Sequence, residues 1–173
     1  MKLEEEARKY MKDKLFIDEV ITPDLYENLA GQTAIFPKEK ALEYLALGMT
    51  SEAGEVAGKV KKLIRDGEDM EGFELKKIAI ASEIGDVLWY CAMMAKEVGV
   101  PLNTIMQENL KKLIRDGKGD KVAIAYEIGD VLWYCAVLAS ELGVSLNTIM
   151  KKNLEKLHDR KERGTLAGSG DDR

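Results

Sequence analysis

The most apolar part of the chain is a fifteen-residue segment that carries two acidic side chains in its middle. Ile78–Ala92 reads IAIASEIGDVLWYCA, with Glu83 and Asp86 three positions apart. Residues at this spacing lie on one face of an α-helix, so both carboxylates project from the same side. Carboxylates on a face that apolar neighbours drive into a core are costly unless they are paired or bind a metal ion. The pattern therefore predicts a buried helix with a functional pair of acids.

This segment occurs twice in the chain. A second run, VAIAYEIGDVLWYCA, begins at Val122 and contains Glu127 and Asp130 at the equivalent positions. Ile78–Leu110 and Val122–Leu154 are identical at 24 of 33 positions, and the heptapeptide KKLIRDG also recurs. Solenoid arrays need more units of fixed period than two. We therefore expect one domain over residues 1–173 with an internal duplication. The duplicated segments cover about residues 61–110 and 111–154.

Apolar residues recur at helical spacing over most of the remaining chain. The first thirty residues show this spacing, with a helix start predicted at Thr22, which caps a helix that has proline at its first position. Gly31–Lys38 is predicted to be a loop. Thr50 or Ser51 is predicted to cap a further helix, which ends at Asp66 before a glycine.

The second half of the chain continues with helices and short connections. Residues 68–76 are predicted to be a polar connection that is partly helical, and Gly99–Pro101 a turn. A second Asp-Gly pair at Asp116 ends the next helix, and Ser145 begins the last one. The polar tail 164–173 is expected to be mobile. Together the elements predict an all-α fold, an antiparallel helical bundle with a duplicated helix pair.

Composition narrows the class of protein. Hydrophobic residues make up 46% and charged residues 33% of the chain, which is typical of a soluble globular protein. The net charge of -5 argues against binding to nucleic acid, and no uninterrupted apolar run reaches the roughly 18 residues of a membrane span. The N-terminus lacks the apolar core of a signal peptide. Cys91 and Cys135 are therefore expected to be reduced core thiols of a cytoplasmic protein.

A second pair of acids has the same design as the first. Glu52 and Glu55 are three positions apart with Gly54 just before the second, as Gly85 precedes Asp86. A pair of this kind on its own is common on solvated helix faces. If the two helices pack antiparallel, however, four carboxylates face one point, and ligands that are all oxygen favour Mg²⁺ or Mn²⁺ together with substrate phosphates.

The run GMTSEAGEVAGKVKKLIRDG, followed by EIGDVLWY, resembles the MazG-type nucleotide pyrophosphohydrolases, whose metal motif is ExxE…ExxD. The resemblance extends over about residues 32–173. It implies an all-α fold, dependence on Mg²⁺, and hydrolysis of a nucleoside triphosphate to the monophosphate and pyrophosphate. It also implies a homodimer or a higher homo-oligomer, and a role in clearing surplus or non-standard nucleotides.

The resemblance also implies the roles of individual residues. The acids that match the family's metal ligands are Glu52, Glu55, Glu83 and Asp86, and Glu52 or Glu55 is the candidate base. In the second copy, Glu127 and Asp130 match the latter two. The later pattern N-x-x-K-x-x-x-R, which holds phosphates, matches Asn153, Lys156 and Arg160. The first copy departs from this pattern, because Asp116 stands where the arginine is expected. Lys59, one helical turn beyond Glu55, is a further candidate for binding phosphate.

Two questions stay open on the sequence alone. Pairing through a short loop favours Glu83 and Asp86, rather than the acids of the second copy, as partners of the acids around Gly54. The complete phosphate pattern, however, belongs to the second copy. We expect Glu83 and Asp86 to bind the metal, with Lys156 and Arg160 reaching in from the second copy or from another subunit. The alternative to an enzyme is a catalytically inactive helical oligomerisation module, in which the duplication has replaced part of a dimer interface.

Overall fold

The computed structural model describes residues 20–66, 70–114 and 123–166, and these ranges contain helices and no strand. The all-α prediction is therefore confirmed for this part of the chain. Its α-helices are α1 Pro23–Ala30, α2 Ala41–Asp66, α3 Met70–Glu97, α4 Leu102–Ile114, α5 Ala123–Glu141 and α6 Leu146–Glu162. Two short 3-10 helices, Gly31–Thr33 and Lys38–Lys40, join α1 to α2.

Helix α3 lies at the centre of the molecule and contacts all the other α-helices, most extensively α2. Its apolar side chains Ile80, Ile84 and Cys91 are fully buried. Only three residues separate α2 from α3, so the two helices form an antiparallel hairpin. Removal of such a continuous apolar face from water is the dominant favourable term in folding. The first copy of the repeated segment is therefore the core of the fold, as its pattern predicts.

Several predicted helix ends are confirmed. The Thr22 hydroxyl accepts a hydrogen bond from the Leu25 backbone N–H, and the Ser145 hydroxyl accepts one from that of Thr148. These bonds satisfy donors that the first turn of a helix leaves unpaired. Gly99 and Gly143 follow α3 and α5 at positive φ, a backbone conformation that glycine adopts without strain.

One predicted helix start is wrong. Thr50 does not cap a helix but lies inside α2, where its hydroxyl donates to the Ala46 carbonyl at 2.9 Å. Because this internal bond satisfies the hydroxyl, the helix continues past Thr50 and Ser51 without a break. In contrast, the connection predicted to be partly helical is indeed helical from Met70 onward, where α3 begins. The predictions for residues 1–19, Asp116 and the tail beyond residue 166 lie outside the described residues.

Both cysteines are free and buried, as predicted. Burial raises the pKa of the Cys91 thiol well above its usual value, and that of Cys135 to about 12. A thiol with such a raised pKa carries little thiolate at neutral pH, and only the thiolate is a strong nucleophile. The two cysteines therefore serve as packing groups between helices.

One stretch of α3, Leu75–Glu97, has the length and mean hydropathy of a membrane span, although charged residues interrupt it. Most of this stretch is buried inside the protein, which is typical of a core helix.

Candidate functional site

The hairpin of α2 and α3 brings three carboxylates together. Glu52 of α2 and Glu83 and Asp86 of α3 each offer an oxygen, and these oxygens all lie within 4.8 Å of one another. Glu83 is only 4% exposed, and the other two are partly buried. Three such carboxylates repel one another, which is costly unless cations compensate. The donor set, all oxygen and open to solvent on one side, fits a hard divalent cation such as Mg²⁺ or Mn²⁺.

Two lysines compensate part of this charge. Lys59 Nζ lies 3.3 Å from Glu83 Oε1, and Lys156 Nζ lies 2.7 and 2.6 Å from the two oxygens of Asp86. Lys156 also donates to the Ser82 hydroxyl at 3.4 Å. Both lysines are about one quarter exposed, so each ammonium group lies at the edge of the site, where it can also meet an incoming anion.

Helix α6 approaches α3 closely beside these acids. The Asn153 side-chain N–H donates to Asp86 Oδ1 at 3.0 Å, and its amide oxygen accepts from the Tyr26 hydroxyl at 2.7 Å. Gly85 makes this approach possible, because a Cβ there would lie 2.9 Å from that of Asn153. Arg160 lies two turns further along the same side of α6 and is buried. The asparagine thus fixes the position of Asp86, and the lysine and the arginine follow it along one helix.

The carboxyl group of Glu52 is strongly perturbed by its surroundings. Partial burial, together with the charges of Asp86 and Glu83, raises its pKa from 4.5 to about 7, although Lys156 acts in the opposite direction. Such a pKa is the value expected of a group that exchanges protons near neutral pH. Glu55, which was expected to join the cluster, has an exposed side chain and lies outside the group of three. Its roles as metal ligand and base stay predictions.

The raised pKa leads to a prediction about metal binding. Below pH 7 the metal-free protein holds a proton on Glu52, and a cation must displace it, so Mg²⁺ affinity is expected to fall about tenfold per pH unit as the pH drops from 7 to 5. Isothermal titration calorimetry in two buffers of different ionisation enthalpy measures both the affinity and the proton released. Glu52→Gln is the control, and it is expected to bind more weakly and without this pH dependence. Equal affinity of the wild type at pH 5.5 and 7.5 would contradict the prediction.

The second copy contains half of the same arrangement. Asn109 donates to Asp130 Oδ1 at 2.8 Å, and a Cβ at Gly129 would lie 2.7 Å from that of Asn109. Glu127 is exposed, and no third described carboxylate completes a cluster there. The pairing is also crossed, since Asn109 belongs to the first copy and Asp130 to the second, whereas Asn153 of the second copy serves Asp86 of the first. The side chain of Lys112 is not among those described.

Sequence reasoning missed one residue that supports the site. Tyr26 of α1 is completely buried, and its hydroxyl contacts both Asn153 and, at 3.3 Å, the carbonyl of Gly85. Buried tyrosine hydroxyls need a partner, but nothing near Tyr26 in the sequence indicates which one. Trp89 and Tyr90 follow Asp86 on α3, and both are aromatic residues of the repeated segment. Trp89 donates to Thr33 at 3.0 Å, and Tyr90 is half-buried where a Cβ at Gly48 would overlap its ring, so both pack within the fold.

Comparison with known proteins gives two matches. A family model described as the MazG nucleotide pyrophosphohydrolase domain matches residues 40–118 and again residues 116–165. The chain is also 40% identical over 96 residues to the Gene 37 protein of Mycobacterium phage L5, an alignment that covers 52% of this chain and 83% of the phage protein. No solved structure matches the chain. The two segments of the family match meet near residue 117, a few residues beyond the boundary between the duplicated segments at residues 110 and 111.

Proposed function

Because the chain belongs to the MazG nucleotide pyrophosphohydrolase domain family, we propose that it hydrolyses nucleoside triphosphates, NTPs or dNTPs, to the monophosphate and pyrophosphate with a divalent cation, Mg²⁺ or Mn²⁺. The observation that carries this proposal is the cluster of Glu52, Glu83 and Asp86 with Lys59 and Lys156 at its edge. The acids are suited to hold a cation, and the lysines are suited to hold the phosphates that it binds.

The reaction attaches a water oxygen to the α-phosphorus and breaks its bond to the bridging oxygen of the pyrophosphate. A cation held by the three carboxylates would neutralise phosphoryl charge and lower the pKa of a bound water. In this proposal Glu52, the carboxylate that α2 contributes to the cluster, takes the proton of the attacking water. Glu55, one turn further along α2, is the second candidate for this base.

The basic groups have a separate role in the proposal. Lys156 pairs with Asp86, and if that carboxylate held a cation, the lysine would be free to bind a phosphate oxygen. Lys59 pairs with Glu83 in the same way, and it would also be free to bind a phosphate oxygen if that carboxylate held a cation. Asn153 holds Asp86 in place, and Arg160 extends the basic side of α6. We also propose that the protein acts in the cytoplasm and clears surplus or non-standard nucleotides.

The experiment that tests this function is pyrophosphate release from a panel of NTPs and dNTPs with Mg²⁺ or Mn²⁺. We expect release with at least one nucleotide, loss of activity in EDTA and restoration by added cation. Either cation at millimolar concentration is also expected to raise the melting temperature of the wild type but not of Glu83→Gln.

The alternative, an inactive helical oligomerisation module, is favoured by one observation, the half-built site around Asp130 in the second copy. Under that alternative no nucleotide is hydrolysed and neither cation shifts the melting temperature. The two functions are thus separated by the same pair of measurements.

A further inference from the structure

A chain of hydrogen bonds links helix α1 to the carboxylate cluster. The Tyr26 hydroxyl donates to the Asn153 side-chain oxygen at 2.7 Å, and the Asn153 side-chain nitrogen donates to Asp86 Oδ1 at 3.0 Å. Tyr26 is 0% and Asn153 is 2% exposed, so solvent water does not compete for these bonds. A buried polar group that loses its partner costs more than its bond contributes. The three side chains therefore form one connected unit that ends at the acid.

Tyr26 is the donor at the buried end of this unit. Its hydroxyl has one hydrogen and contacts two oxygens, that of Asn153 at 2.7 Å and the carbonyl of Gly85 at 3.3 Å, so the hydrogen points to the nearer one. Burial, together with the charge of Asp86, raises the pKa of the Tyr26 hydroxyl well above its usual value. The hydroxyl therefore keeps its proton at neutral pH and always offers it to the asparagine.

The tyrosine hydroxyl determines which way the Asn153 amide faces. A side-chain amide has an oxygen that accepts and a nitrogen that donates, and a half-turn of the amide exchanges their positions. With its oxygen held by Tyr26, the amide turns its nitrogen toward Asp86, whose ionised carboxylate only accepts hydrogen bonds. The reversed amide would place its oxygen against that carboxylate, where neither group has a hydrogen to share.

Helix α1 is anchored on both sides of Tyr26, which gives the hydroxyl a fixed position. Just before the helix, the Ile21 backbone N–H donates to the side-chain oxygen of Asn147 in α6 at 2.7 Å. Directly after the tyrosine, the Glu27 carboxylate accepts from the Leu102 backbone N–H at the start of α4, at 2.8 Å. Because these bonds hold α1 against two other helices, the hydroxyl does not follow the amide when the amide rotates.

The second copy has the same asparagine–aspartate bond without the tyrosine. Asn109 donates to Asp130 Oδ1 at 2.8 Å, as Asn153 does to Asp86. Among the residues that the structure describes, no hydroxyl donates to the amide oxygen of Asn109. Helix α1 precedes the duplicated segments and occurs once in the chain. The tyrosine thus supports the one pair of the two that belongs to the carboxylate cluster.

We propose that Tyr26 is a positioning residue of the cation site, which acts through Asn153 by fixing the orientation of its amide and thereby the place of Asp86. This role rests on the proposed function, in which Asp86 is a ligand of the divalent cation. It extends that function to a buried side chain of α1 that contacts none of the three carboxylates of the cluster. Groups that orient a metal ligand from behind typically change cation affinity by about 10- to 100-fold.

The first test observes the Asn153 amide directly by NMR, in the full chain without added cation. Its side-chain NH₂ signal is assigned by its absence from the spectrum of Asn153→Ala. In the wild type we expect one of the two protons to be shifted by its bond to the Asp86 carboxylate and to exchange slowly with water. In Tyr26→Phe the amide alternates between two orientations, so the shift is expected to diminish and the exchange to accelerate about tenfold. Unchanged signals in Tyr26→Phe would overturn the proposal.

The matched control for this variant is Thr33→Val. It also removes a buried hydroxyl that donates to an oxygen, here the carbonyl of Ala30 at 2.7 Å, but this hydroxyl has no bond to Asn153. Both variants are expected to melt below the wild type, whereas only Tyr26→Phe is expected to change the Asn153 signal. An equal change in the control would show that the signal reports lowered stability alone, and the proposal would then be wrong.

The second test measures the affinity for Mn²⁺ alone, by isothermal titration calorimetry. Tyr26→Phe is expected to weaken Mn²⁺ binding about tenfold, and Thr33→Val to stay within about twofold of the wild type. In an Asn153→Ala background, Tyr26→Phe is expected to have no further effect, because the group through which the tyrosine acts is absent. An equal loss with and without Asn153 would show a general structural role, and it would overturn the proposal.

The outcomes for Mn²⁺ also separate this proposal from the proposed function. A wild type that binds no Mn²⁺ would contradict both together, since there would be no cation site for Tyr26 to support. A Tyr26→Phe protein that binds Mn²⁺ as tightly as the wild type would contradict the positioning role alone and leave the proposed function intact.

Discussion

The double variant Glu83→Gln/Asp86→Asn is expected to lose pyrophosphate release by about a thousandfold or more, the scale of losing preorganised charge in an active site. The carboxylates of α3 and that of Glu52 form the described cluster of acids with oxygens close enough to share a cation. Neutral amides of the same shape keep the packing of α3 but remove the charge that holds the cation. The measurement is the initial rate with the best nucleotide of the panel at saturating Mg²⁺.

The duplication supplies a matched control for this experiment. Glu127→Gln/Asp130→Asn makes the same chemical change at the equivalent positions of α5, where no third described carboxylate lies nearby. This variant is expected to retain activity within about twofold, the effect typical of a change away from the reacting groups. Loss of activity only in the α5 variant would place the site in the second copy, and loss in both would indicate a site shared by the two copies.

Much of the core of this arrangement follows from local sequence. Helix α3 is predictable because its apolar residues leave no polar face except Glu83 and Asp86, and a hairpin with α2 follows from the short connection. The cap at Ser145 and the turn at Gly99 depend on the chemistry of single residues, so they too are predictable. The continuous α2 was missed because Thr50 favours both a cap and a bond to the carbonyl four residues before it, and only packing against α3 selects the second.

Most contacts between distant segments could not be predicted from the sequence. Identical motifs in both copies give no reason for Asn153 to serve Asp86 rather than Asp130, and the crossed pairing is decided by how α5 and α6 pack on α3. The approach of Lys156 to Asp86 was expected from the complete phosphate pattern of the second copy, and the structure makes this contact within one chain. The support from Tyr26 depends on a separation of 127 residues, which no local pattern encodes. In contrast, the sequence predicts that Glu52 lies near Glu83 and Asp86, because only a short connection joins α2 to α3.

Substitution of Gly85 in the first copy or of Gly129 in the second is expected to lower the stability of the protein in both cases, but its activity in only one. Gly85→Val and Gly129→Val place new atoms where the Cβ atoms of Asn153 and Asn109 already lie, since even a Cβ would be 2.9 and 2.7 Å away. Overpacking of this kind costs about 1–3 kcal/mol. Each kcal/mol lowers the melting temperature of a protein of this size by about 2–4 °C. Both variants are therefore expected to melt several degrees below the wild type, as measured by circular dichroism.

Activity distinguishes the two variants, because only one of the displaced asparagines holds a residue of the carboxylate cluster. Gly85→Val pushes Asn153 away from Asp86, and a shift of about 1 Å in a catalytic group costs on the order of a hundredfold in rate. Gly129→Val disturbs only the Asn109–Asp130 pair, so its rate is expected to stay near that of the wild type when both are assayed well below their melting temperatures. Equal loss of rate in the two variants would mean that the half-built site of the second copy also contributes to catalysis. Full activity of Gly85→Val despite the expected destabilisation would mean that Asp86 does not need Asn153 to hold it, and that the close approach of α6 serves packing alone.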